Sequence, residues 1–149
     1  MFVSFALVSC ASTSQGGTPR DATGVMNASE ASCAFSYSPT TLAQRSWAFD
    51  GTLVSVGSLD DSHLGAVPSA TFSVKQWFRG GSGDRVTVQF QIGRISESGP
   101  NVGTGARLLV AGEPRWGGQP LNDPVAWGCG FTQLWTESAA ESWADALGA

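Results

Sequence analysis

The 149-residue chain predicts a mainly β fold, a small closed barrel of five strands with one helix packed against it near the C-terminal end. Three observations carry that expectation. Two neighbouring segments alternate apolar and polar residues with a period of two. Gly-, Pro- and Asp-rich stretches separate the apolar runs at short intervals, and the last residues change to a helical period. The length suits one domain with its own core and is short for two.

The elements are taken in chain order. Trp47 to Val56 (WAFDGTLVSV) reads as a first strand, with Gly51 at a bulge or bend. Ser69 to Arg79 (SATFSVKQWFR) sets Phe72, Val74 and Phe78 on one face and Thr71, Ser73, Lys75, Trp77 and Arg79 on the other. Asp84 to Ile92 (DRVTVQFQI) turns Val86, Val88, Phe90 and Ile92 inward and Arg85, Thr87, Gln89 and Gln91 outward. Half-buried antiparallel strands alternate in this way. Between those two, Gly80-Gly81-Ser82-Gly83 is a hairpin connection whose glycines can take positive φ. A fourth strand is expected over Ala106 to Ala111 (ARLLVA) and a last over about Ala126 to Trp135 (AWGCGFTQLW). Five such strands suit a closed barrel better than a two-sheet sandwich. At the end, Ser138-Ala139-Ala140-Glu141 forms a capping box and Gly148 a stop. Trp143, Ala139, Ala140, Ala146 and Leu147 make the apolar stripe by which that helix docks on the barrel.

Composition narrows the function classes. Charged residues are 13% of the chain, about half the usual share, and Gly, Ser and Thr take their place. The eight basic residues stand singly among twelve acidic ones, for a net charge of −4. A nucleic-acid binder needs clustered positive charge, so that partner class is excluded.

The N-terminal part differs from the rest. Residues 1–9 are a signal-like segment, and Leu7-Val8-Ser9-Cys10 fits the bacterial lipobox, small residues before a cysteine that becomes the acyl acceptor. No basic residue precedes the apolar run and the run is short, so the signal is expected to begin upstream of Met1. The other reading is a short buried strand with a free cysteine. Residues 10–31 combine the lipid-bearing Cys10 with a Ser-, Thr-, Gly- and Ala-rich tether that holds almost no large apolar residue. Residues 32–149 are then the folded domain. The expected location is extracytoplasmic, lipid-anchored to the membrane or secreted, since no other stretch approaches the ~20 apolar residues a membrane span needs. Cys10, Cys33 and Cys129 make an odd count, which in an exported protein leaves one cysteine a separate fate.

A resemblance becomes visible at Cys33-Ala34-Phe35-Ser36-Tyr37-Ser38-Pro39, which resembles the cysteine-bearing start of netrin-like domains and tissue inhibitors of metalloproteinases. The succession AFDGTLVSV, ATFSVKQWFRG, DRVTVQF, GARLLVAG and WGCG resembles bacterial members of that superfamily in order and spacing, over residues 33 to 135. The resemblance implies an OB-like five-stranded barrel. It also implies a disulfide between Cys33 and Cys129, leaving Cys10 for lipid; a bridge closing so long a loop contributes on the order of 4 kcal/mol. Protease inhibition in this family uses the free amine of an N-terminal cysteine to chelate zinc. Here Cys33 follows other residues and its nitrogen is an amide.

Chemistry-bearing residues are few. His63 is the one histidine, in Asp60-Asp61-Ser62-His63, and a polar turn between strands explains it better than a metal site with an incomplete ligand set. No serine lies in a nucleophile-elbow motif. Glu113 and Asp123 flank the loop GEPRWGGQPLNDP and match a glycosidase pair by residue type alone. No catalytic residues, metal or cofactor are expected, and the chain is read as a non-enzymatic binding or interaction module of a bacterial cell envelope. Protease inhibition, a small secreted enzyme and a glycan-binding domain are the alternatives. Of six tryptophans, Trp77 on a polar strand face and Trp116 in a Gly/Pro loop are the candidates for contact with a protein or glycan partner.

Overall fold

The structure, a computed structural model, describes residues 36–57, 68–90 and 102–149. The signal-like segment, the tether, Cys10, Cys33 and the Asp60–His63 turn lie outside the described residues. Elements run in the order α1 (Pro39–Leu42), β1 (Trp47–Val56), β2 (Ser69–Arg79), β3 (Arg85–Gln89), β4 (Arg107–Pro114), β5 (Pro124–Ala126), β6 (Thr132–Leu134) and α2 (Glu137–Leu147).

Hydrogen bonding links the strands in the order β1-β2-β3-β5-β4, and a β1–β4 pairing closes the ring. The β3–β5 pair is parallel and the other pairs are antiparallel. This is a closed, mixed five-stranded barrel of OB-like type, as the sequence predicts, with β6 added outside along β4. Closure removes the sheet edges that a small open sheet would leave unpaired.

Two apolar cores explain the strand sequences. Trp47, Phe49, Leu53, Phe72, Val88, Leu108 and Val110 fill the barrel interior. On the outer side of the same strands, Ala48, Phe78, Leu109 and Ala111 meet Leu42, Phe131, Trp143 and Leu147. β1 and β4 are therefore buried on both faces over part of their length, which is why LLVA lacks alternation. Helix α2 docks here, with Trp143 fully buried and its ring 6.2 Å from Phe78.

Departures from simple alternation have local causes. Gly51 pairs with Val74 and Asp50 with Gln76, so Lys75 is an extra residue in β2. The bulge reverses the facing of Trp77 and Phe78, before a second register shift that leaves Phe78 opposite no β1 residue. Trp77, expected on the polar face, packs against the interior core with its ring 5.2 Å from Phe49, and Phe78 joins the outer core instead. The bend foreseen at Gly51 sits opposite this bulge, where a β-carbon would come within 3.0 Å of the Ser73 carbonyl.

The last predicted strand divides into β5 and β6. The turn between them holds Cys129 at φ 59 and Gly130 at φ 91, left-handed values outside the extended region of a regular strand. The hairpin at residues 80–83 takes positive φ at Gly80 and Gly83, as expected. Helix α2 ends at Gly148 in the left-handed conformation but begins earlier than the Ser138 capping box implies. Thr136 is its N-cap, accepting the Ala139 N–H at 3.2 Å. The short α1, capped by Ser38 and Thr41, was not anticipated from the sequence.

Candidate functional site

The β4–β5 connection, residues 115–123, carries the most exposed large apolar side chain among the described residues: Trp116, 80% accessible. In OB-type barrels this connection and the β1–β2 connection border the ligand face across β2 and β3. The β1–β2 connection here includes His63, outside the described residues.

The loop is held at its base and its middle. The Arg115 N–H donates to the Asp123 carbonyl at 3.0 Å, and Asn122 N–H to the Gln119 carbonyl at 3.0 Å. Leu121 packs against the barrel core. Side chains add a closed polar triad with β3: Arg115 Nη2 donates to Gln89 Oε1, Gln89 Nε2 donates to Asp123 Oδ1, and Arg115 Nε lies 3.7 Å from Asp123 Oδ2. The Arg115 guanidinium stands 5.9 Å from the Trp116 ring centroid. Asp123 takes φ 49, a left-handed backbone that aspartate tolerates better than most residues. Gly117 and Gly118 have φ 76 and 89, and a β-carbon at Gly117 would meet nothing within 4 Å, so the space beside Trp116 is open.

Trp77 is placed differently. Its indole N–H donates to the Gly83 carbonyl at 2.9 Å, and its six-membered ring lies directly under Gly81. It is half-buried, part of the core and of the hairpin.

Two further arginine–carboxylate pairs are absorbed into structure. Buried Arg45 lies 4.1 Å from the Trp127 ring centroid, donates to the Thr41 carbonyl and pairs with Glu113 at 3.4 Å. Ser46 Oγ also donates to Glu113. Asp50, almost fully buried, receives two hydrogen bonds from Arg107, which lies 3.8 Å from the Trp135 ring centroid. The Asp50 hydrogen bond holds the Arg107 guanidinium above the usual arginine range, against the opposing effect of burial. Glu113 and Asp123, the two carboxylates flanking the loop, are thus each engaged by a separate arginine. Among the described residues, no group of three or more His, Cys, Asp or Glu is placed to hold a metal, and no helix is long and apolar enough to cross a membrane.

The sequence singled out Trp116, but not its neighbours Gln89 and Arg115. Gln89 is 26 residues from Arg115 and reaches it because β3 runs parallel to β5, with Gln89 paired to Val125. Nothing local in the sequence announces that register.

No protein-family model matches the chain, and a search of curated proteins finds no similar one.

Proposed function

We propose that the protein is a non-catalytic binding module of a bacterial cell envelope, netrin-like in type, anchored by lipid at Cys10 and meeting a protein or glycan partner through the Trp116 loop. The observation that carries this reading is one exposed indole on a loop pinned to the barrel by Arg115, Gln89 and Asp123. An aromatic surface held in place loses little conformational entropy on binding, which is the chemistry of a contact hot spot. Trp77, the second candidate, is a support for the hairpin rather than a contact, because its ring and its N–H are both used within the domain.

The proposed bridge between Cys33 and Cys129 has support in the packing nearby. Tyr37 lies against the Cys129 turn: a β-carbon on Gly130 would fall 2.8 Å from that of Tyr37, and the Tyr37 and Phe131 rings are 5.7 Å apart. Three residues separate Cys33 from Tyr37, a span of at most about 14 Å. Intact-mass measurement of the mature protein before and after reduction tests bridge and anchor together. A gain of two hydrogen atoms on reduction and an acyl mass absent from Cys10→Ala are expected; free thiols at both Cys33 and Cys129, or an unacylated mature protein, contradict the assignment.

The binding role itself is tested by co-sedimentation with native cell-envelope fragments that lack the anchor's own membrane. Wild-type and Trp116→Ala chains, each also carrying Cys10→Ala, are compared.

A further inference from the structure

We propose that the Trp116 loop and Gln89 form a subsite for a neutral, gluco-configured pyranose of a β-linked glycan. The inference rests on the binding-module reading above and narrows its partner class.

The surroundings of Trp116 separate a sugar from a protein partner. The other exposed large apolar residues among those described, Val54, Val56 and Leu134, belong to β1 and β6 and not to this loop. The loop's own residues include Gln119, Asn122 and two glycines, and the Arg115 guanidinium, which contacts Gln89 and Asp123, stands 5.9 Å from the indole centroid. A protein hot spot is shielded from water by further apolar contacts, whereas a sugar needs one flat aromatic face with planar polar groups beside it. A gluco-configured ring supplies the complement, axial C–H groups on its faces and hydroxyls around its rim.

The triad offers the polar partners that such a rim requires. Amide, carboxylate and guanidinium lie together at the loop base and all remain partly open to solvent. Arg115 donates one N–H to Gln89 and lies at ion-pair distance, 3.7 Å, from Asp123, which leaves most of the five N–H groups a guanidinium has, and the carboxylate keeps lone pairs beyond its contact with Gln89. Arg115 and Asp123 also cancel in charge, and the chain as a whole is at −4. The site therefore has no surplus positive charge for a uronate or sulfated sugar, and a neutral ring fits it.

Calorimetric titration of the full chain with chitohexaose, cellohexaose and a heparin hexasaccharide tests this. Saturable binding of at least one neutral hexasaccharide is expected, with heparin bound at least about tenfold more weakly. Trp116→Ala should lose about tenfold or more in affinity for the neutral ligand while its thermal midpoint is unchanged, since the side chain is exposed. Failure of the wild type to bind either neutral hexasaccharide, preferential binding of heparin, or undiminished binding by Trp116→Ala overturns the assignment. If Trp116-dependent attachment to envelope fragments survives that failure, the sugar class falls and the binding-module reading stands.

Discussion

Asp50 and Arg107 meet diagonally across β1 and β4, where Asp50 pairs with Leu109 and Arg107 with Thr52. Arg107 Nε donates to Asp50 Oδ1 at 2.8 Å, with the carboxylate side chain 4% and the guanidinium side chain 36% exposed. Replacing Arg107 with Met keeps most of the contact with Trp135 and strands a buried carboxylate, so a loss of about 3 kcal/mol in denaturant-unfolding stability is expected. Because the folded-state value for Arg107 is raised, its contribution is complete below the ordinary arginine range and lost only as pH rises through that raised value. The pair thus gives no alkaline loss of stability near neutral pH. At this scale the sequence was legible in part. Trp116 stood out because Gly and Pro surround it, while Trp77 was misplaced because a single unpaired residue, Lys75, reverses strand facing without a mark in the sequence.

Among elements, α2 has the clearest logic. Its largest anchor is Trp143, fully buried against Phe78 at the barrel wall. Truncating it to Ala should cost about 3–5 kcal/mol by cavity formation, measured as a shift of the denaturant midpoint. A change under about 1 kcal/mol, smaller than a typical core truncation, would mean that the helix does not dock as described. The helix stop was readable from Gly148, whereas the true N-cap, Thr136, competes in sequence with Ser138 two residues later. The division of the final strand could have been read from Gly128-Cys129-Gly130, where glycines on both sides of the cysteine favour a turn over a continued ladder.

For the whole molecule, alternation and turn residues were enough to foresee a closed five-stranded barrel with a docked helix. The features that assemble the candidate site were not foreseeable, because they depend on pairings between distant segments. The parallel β3–β5 contact brings Gln89 to the Arg115–Asp123 loop, and the β1–β4 contact closes the ring. Neither leaves a local signature. The resulting surface places one pinned, exposed indole beside a neutral polar triad, and the proposed binding role depends on it. Co-sedimentation with native envelope fragments measures that role most directly. The unanchored wild-type chain is predicted to bind saturably and Trp116→Ala to lose about tenfold or more in affinity; equal binding by the two chains, or none by the wild type, would contradict the account.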